Sequence, residues 1–570
     1  MPEGKYTINF SKIKKSPFDI KSESSYNAKL SKGSLELGLK KKNCIAWVHN
    51  PERDYEDHVI EARYRLNSLG SYAAAGIIFR AMDDDSYYMA LVSSKGYFRL
   101  DVVKDNSPRT LIAWTEISDF NGRNIAMKII TYGDNLIFVI NGKWLGEIND
   151  DTVSYGIPGF AAASYPDSND QEQETNDAEN GERYICMAYL DFISMETRSK
   201  IVENEYNFWT DDTNINAERR LRLAETFAVM DEPAKALDQI NRAWKRRDEV
   251  IRVVSTSEVR TKKELLLAAR MTFRLGQYSS AEELIDSILD QWENSPEGKL
   301  AYTEKLKILN ELNKFSEIKD FISVNSSKIT KDIDYYTILA RSYWELNEYE
   351  QSAQAWDTAM EIHGGKDQPA SGVYSANAAN AYELAGKKKN ALTRYIDAGR
   401  IFLNQDNKHE LAAIMPKLSA LGSKNWEARS LLGKWAFSLE DYSQSLKDFE
   451  ASHKLRCAQK PRPKPDPAAF YLWGLVLNLH GKTKTAIRLL ERAVKLAPEY
   501  GLFRFKLSEF KLMSGIKDPV IAEELKIALT HIDDPQGNMA DHAGNLLLNA
   551  GLSRQAKYFF NLNKKQEADY

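Results

Sequence analysis

Residues 470–498 read FYLWGLVLNLHGKTKTAIRLLERAVKLAP. Phe470, Trp473 and Leu477 recur at three- and four-residue steps, which places them along one helix face. Gly474 sits on that face where a second helix must approach closely. Gly481 supplies a turn, Ala486, Leu490 and Ala493 continue the apolar stripe on a second helix, and Pro498 closes the unit. The stretch is a helical hairpin. Hairpins of this kind expose an apolar face that only a neighbouring copy covers, so repeated copies stack and leave a long groove. Such grooves hold other chains.

The pattern recurs. Tyr336, Leu339, Ala340, Tyr343, Asn347, Tyr349, Ser352, Trp356 and Ala359 fit at every step, as do Ala378, Ala379, Tyr382, Gly386, Ala391, Tyr395 and Ala398. This resembles the tetratricopeptide repeat (TPR), whose period is about 34 residues. The small or apolar residue near the start of each second helix falls at Ala236, Ala281, Ile318, Ser352, Ala391, Ser445, Ala486, Ala522 and Ala556. About eight to nine hairpins are expected over 216–570. The step from Ala391 to Ser445 is too long for one unit, and His409 to Leu421 is expected to add a helix there.

Before Thr197 the period changes to two. His58 to Leu66 alternates charged and apolar residues, as a half-buried strand does. Gly76–Arg80, Tyr87–Val92, Tyr97–Val103, Ile125–Thr131, Asn135–Ile140 and Trp144–Ile148 follow, with Asn141-Gly142 as a hairpin turn. The order "AGIIFR", "YYMALV", "GYFRLDVV", "LIFVINGKWLGEI", "GIPGFAAASY" and "MAYLDFISM" resembles the concanavalin A/laminin G-like jelly roll. That resemblance implies glycan binding in some members and glycoside hydrolysis in others. Predicted organisation is an all-β antiparallel jelly-roll sandwich (1–197), a linker (198–215) and an all-α TPR superhelix (216–570).

Composition sets bounds. The chain has 570 residues, with 77 Lys+Arg against 81 Asp+Glu and a formal net charge of -4. That balance gives no field for nucleic acid. No run of 18 apolar residues suggests a membrane span. The N-terminus lacks a signal-peptide pattern, and Cys44, Cys186 and Cys457 form no CxxC, which together predict a cytoplasmic protein.

Chemistry-bearing motifs are scarce. No GxSxG or HExxH occurs, and the paired carboxylates of a glycosidase are not legible on any strand. No catalytic residue, metal or cofactor is predicted. Asp83-Asp84-Asp85 and the acidic stretch between Tyr165 and Tyr184 read as polar turn and loop. Tyr87, Tyr97 and Trp114 could stack on sugar rings, or fill the sandwich core. On the repeats, helix positions facing away from the hairpin partner are Arg341, Trp344, Asn377, Asn380, Glu383, Lys434 and Phe437. Arg341, Asn380 and Lys434 occupy equivalent places in three units and form a ladder of donors. TPR resemblance implies that such a ladder holds an acidic or C-terminal peptide segment. The expected function is a non-enzymatic scaffold, binding a protein in the TPR groove and a ligand such as a glycan on the jelly roll. A carbohydrate-active enzyme with accessory repeats is the alternative, and a sandwich that merely caps the first repeat is a third.

Overall fold

The computed structural model describes residues 3–50, 54–68, 73–118, 120, 122, 124–165, 184–211, 215, 217–254, 261–365, 368–533 and 538–566. Two compact units are present, Met1–Leu312 and Asn313–Tyr570.

The first unit holds the described strands: β1 (Lys5–Asn9), β2 (Tyr26–Ser31), β3 (Ser34–Leu39), β4 (Cys44–His49), β5 (His58–Ser68), β6 (Ala73–Asp83) and β7 (Ser86–Ser93). They continue as β8 (Tyr97–Lys104), β9 (Ser107–Glu116), β10 (Ile125–Tyr132), β11 (Asn135–Ile140), β12 (Lys143–Asn149), β13 (Ile157–Ser164) and β14 (Cys186–Glu196). One antiparallel sheet runs β12-β11-β10-β5-β14-β3-β2, with β1 also on β14. The other runs β4-β13-β6-β7-β8-β9. Alternation puts Ala75, Ile77, Phe79, Tyr88, Ala90, Phe98, Leu100 and Phe160 inside, against Tyr64, Ile129 and Phe138 of the first sheet. Phe138 meets both Phe79 and Phe98, with centroids at 6.2 and 5.1 Å, and Tyr64 meets Phe160 at 5.7 Å. The Asn141-Gly142 turn joins β11 to β12 with φ of 50° and 75°, as a two-residue hairpin requires.

Helices of this unit follow directly: α1 (Ser199–Thr210), α2 (Ala217–Val229), α3 (Pro233–Val254), α4 (Lys262–Arg274), α5 (Tyr278–Trp292) and α6 (Pro296–Glu311). The stretch expected to be a linker therefore contains α1, which lies along β10. Tyr206 stacks on Tyr132 at 4.9 Å, and Glu205 accepts from Lys128 at 2.9 Å. Helix α2 packs on β9 and β12, the edge strands at one end of each sheet. Leu223 is buried there, close to Gly146, and the Thr226 and Thr115 hydroxyls are 2.9 Å apart. Edge strands carry unpaired backbone groups, and a helix laid against them shields them. Below this contact Arg220, only 1% exposed, donates to Gln239 at 2.7 Å, pairs with Glu147 at 3.2 Å and lies 5.0 Å over the Trp144 ring.

The second unit comprises α7 (Phe315–Asn325), α8 (Ile333–Glu345), α9 (Tyr349–Ile362), α10 (Ser371–Leu384), α11 (Lys388–Asn404), α12 (Lys408–Leu421) and α13 (Trp426–Ser438). Beyond it come α14 (Tyr442–Ala458), α15 (Pro467–Leu479), α16 (Thr483–Leu496), α17 (Gly501–Met513), α18 (Val520–Leu529), α19 (Asn538–Asn549) and α20 (Ser553–Gln566). The extra helix is α12. Hairpin chemistry repeats closely. Ala236, Ala281, Ile318, Ser352, Ala391, Ser445, Ala486 and Ala556 are each the fourth residue of their helix and are buried; Ala522 is the third of α18. The Ser352 and Ser445 hydroxyls donate to the Ala340 and Gly433 carbonyls, both at 2.8 Å. Turns place Gly276, Asn347, Gly386, Glu440, Gly481, Gly515 and Gly551 at positive φ, the left-handed conformation that ends a helix. Where a helix pair is tightest a side chain does not fit: a Cβ on Gly433 would come 2.9 Å from the Phe449 ring, and one on Gly544 2.6 Å from Phe560.

Candidate functional sites

Two surfaces gather chemistry. The first is the outer face of the six-stranded sheet. Register aligns Trp47, Ala161, Gly76, Leu91 and Arg99 from strand to strand across it. Small residues in the middle let rings from the flanks lean inward. Trp47 meets Tyr87 at 5.4 Å, and Trp114 meets Tyr165 edge-on at 5.6 Å. Gly159 lies beneath Trp47, since a Cβ there would come 3.1 Å from the indole. The Arg99 guanidinium sits 5.8 Å over Trp114 and donates to Asp101 at 2.7 Å, while the Thr110 hydroxyl donates to the other Asp101 oxygen at 2.7 Å. Burial pushes the Tyr165 phenol up to about 12. Tyr87 and Trp114 belong to this outer face rather than to the inter-sheet core, and Tyr97, two residues before Arg99 on β8, is exposed. Tyr97 and Trp114 also line a cleft of about 570 Å³ with Glu116, Arg222, Glu225 and Leu267. Trp47, Arg99, Asp101 and Tyr165 join the aromatic set only in the folded sheet.

Asp83, Asp84 and Asp85 form the β6–β7 turn, where the Asp85 N–H bonds the Asp83 carboxylate at 2.9 Å. Among the described residues no group of three or more His, Cys, Asp or Glu side chains is placed to hold a metal. The acidic stretch after Tyr165 lies outside the described residues.

The second surface is on the repeats. Lys434 and Phe437, on one face of α13, line a cleft of about 530 Å³ between α11, α13 and α15. Leu403, Trp426, Leu431, Ala468 and Leu472 supply most of its apolar wall. Two ion pairs flank it: Arg400 with Glu427 at 2.7 Å, and Lys434 with Asp466 at 2.6 Å. Asp466 also caps α15, accepting from the Ala468 and Ala469 N–H groups. Ser430 lines the same cleft at 5% exposure, and its hydroxyl has no hydrogen-bond partner among the described residues.

The other groove positions lie elsewhere. Arg341 is exposed on α8, where it donates to the Asn313 side-chain Oδ1 at 3.3 Å and lies over the Phe315 ring. Trp344 packs on Tyr349, the contact that Phe437 makes with Tyr442 two hairpins later. Asn377 is half-buried on α10. Asn380 and Glu383 share the buried Tyr395 hydroxyl, at 2.7 Å each, and Lys417 donates to Asn380 at 2.6 Å. Burial and the Glu383 carboxylate both push the Tyr395 phenol up. The three equivalent ladder positions thus each engage a different neighbour in their own chain.

Known proteins show what the chain is similar to. No family model matches. A TPR repeat-containing protein of Treponema pallidum (strain Nichols) is 23% identical over 571 residues, covering 89% of this chain and 65% of that protein. The chain therefore spans about two thirds of that relative's length. Among solved structures, the carbohydrate binding module CBM66 from Bacillus subtilis is 11% identical and covers 32% of this chain and 96% of its own, with a TM-score of 0.25. YrrB, described as a TPR protein with an unusual peptide-binding site, is 19% identical over 38% of this chain and 95% of its own, with a TM-score of 0.24. The chain is an antiparallel β-sandwich followed by stacked helical hairpins, and it is similar to a TPR repeat-containing protein. Among the described residues no helix is long and apolar enough to cross a membrane.

Proposed function

We propose that the chain is a non-enzymatic adaptor whose repeats hold a protein partner in the cleft between α11, α13 and α15. The observation that carries this reading is the cleft itself. It joins an apolar wall of Trp426, Leu431, Phe437 and Leu472 to paired charges on its rim, the composition of a peptide-binding hot spot. Phe437→Ala is expected to weaken the partner recovered with full-length bait at least tenfold while Trp344→Ala, outside the cleft, leaves it within twofold. Equal losses would move the interface away.

The sandwich adds a second recognition surface. Its outer face presents Trp47, Tyr87, Trp114 and Tyr165 around an Arg99–Asp101–Thr110 network, which suits a sugar ring: aromatic faces for C–H surfaces and fixed polar groups for hydroxyls. A hydrolase needs two carboxyl groups across the scissile bond. Asp101 is held by Arg99 and Thr110, which favours binding over hydrolysis. A glycan array probed with wild type and Trp114→Ala tests this face. Identical profiles for the two proteins would exclude it.

A further inference from the structure

We propose that the α11/α13/α15 cleft receives a tyrosine side chain of the partner, with its phenol bonded to Ser430. The inference rests on the reading of this cleft as the partner site and names the residue that it selects. Four residues along α13, Glu427, Ser430, Leu431 and Lys434, with Phe437 a turn further, bring both polar and apolar groups to one wall. Leu403 of α11 and Leu472 of α15 face them from the other helices.

Charge does not select the ligand. Arg400 and Lys434 are already neutralised by Glu427 and Asp466, and Asp466 is fixed by its capping bonds. A partner carboxylate would compete with bonds already made, and a partner amine would meet two cations. An uncharged side chain enters without disturbing them. Of the uncharged ones, a purely aliphatic or phenyl group would leave the Ser430 hydroxyl buried without a partner, which is costly in an apolar wall. Tyrosine matches both halves: a flat ring for Trp426, Leu431, Phe437 and Leu472, and a hydroxyl at the tip farthest from its backbone. An indole carries its N–H on the side of the ring instead. A volume of about 530 Å³ admits one such ring. Ser430 Oγ is shielded from solvent, so ring entry must part the side chains above it.

The test is a random-peptide display selection on the full-length protein, with Leu472→Trp, which fills the cleft, as the counter-selection. Tyrosine should be enriched at one position among wild-type binders and lost on Leu472→Trp. For the best synthetic peptide, titration calorimetry should then show roughly a tenfold loss on Tyr→Phe with wild type, and no loss on Tyr→Phe with Ser430→Ala. Ser430→Ala removes one oxygen, so folding is preserved and the comparison stands if Leu472→Trp misfolds. Peptides that need Phe437 but show no tyrosine preference, or a preference that Ser430→Ala leaves intact, would overturn this inference and keep the cleft. Binders indifferent to Phe437→Ala would overturn both.

Discussion

Arg220→Ala is the substitution with the most to say about how the sandwich and the first hairpin of its unit are joined. The side chain is 1% exposed and touches both parts: Gln239 on α3, Glu147 and Trp144 on β12. Truncation leaves the largely buried Glu147, 14% exposed, with Arg242 as its remaining ion-pair partner among the described residues, and Gln239 without this donor. Breaking a buried ion pair by removing one partner costs about 3–5 kcal/mol. The remaining Arg242 contact keeps the expected loss at the lower end, about 3 kcal/mol. Arg242→Ala is the control. Its side chain is 41% exposed, so its expected cost is at most about 1 kcal/mol. Urea unfolding followed by far-ultraviolet circular dichroism and by tryptophan fluorescence measures both. If the arginine joins sandwich to hairpin, the two signals of this unit shift together in Arg220→Ala. Losses within about 0.5 kcal/mol of each other for the two variants would refute the reasoning.

Further expectations concern packing, pH and truncation. Gly474→Leu should cost roughly 1–3 kcal/mol or more, because even a Cβ there lies 3.2 Å from Leu490, whereas exposed Arg341→Ala should cost under about 0.5 kcal/mol; melting curves compare them. His58 is fully buried, and burial, then the Arg80 charge, lowers its pKa from 6.5 to about 3. Between those values the unfolded chain binds one more proton than the folded one, so stability from this group is complete above about 6.5 and is lost as pH falls toward 3, at about 1.4 kcal/mol per unit. His58→Gln should flatten that slope in urea titrations from pH 7 to 4.5; an unchanged slope would remove His58 from the account. A fragment ending at Lys200 lacks α2 over β9 and β12, and should aggregate or melt well below a fragment ending at Leu312.

Local patterns were legible and distant ones were not. The small residues from Ala236 to Ala556 mark their helices to within a residue because helical period and turn chemistry are set by near neighbours. Strand alternation likewise identified β5 to β8 and β10 to β12. Helix α1 escaped notice because its twelve residues bury only Val202 and the rest of its footing comes from Tyr132 and Lys128, far back in the chain. Trp47 joins the aromatic face because β4 and β7 share a sheet with β13 and β6 between them, an order no local window contains. The ladder positions Arg341, Asn380 and Lys434 are equivalent by period, but their partners are not: Asn313 stands in a turn, Tyr395 on α11, Lys417 on the extra helix α12, and Asp466 at the cap of α15. Lys434 and Phe437 alone among those residues line the cleft, and its other walls, Leu403 and Leu472, stand on helices before and after α13.

The most direct measurement is amide hydrogen exchange on the full-length protein, with and without the partner recovered by full-length bait. Binding in the cleft predicts slowed exchange in 400–404, 426–438 and 466–472, with α8 and the sandwich unchanged. Protection confined to α8, to the sandwich or to the outer turns, with 426–438 exchanging as before, would contradict the assignment of the partner to this cleft.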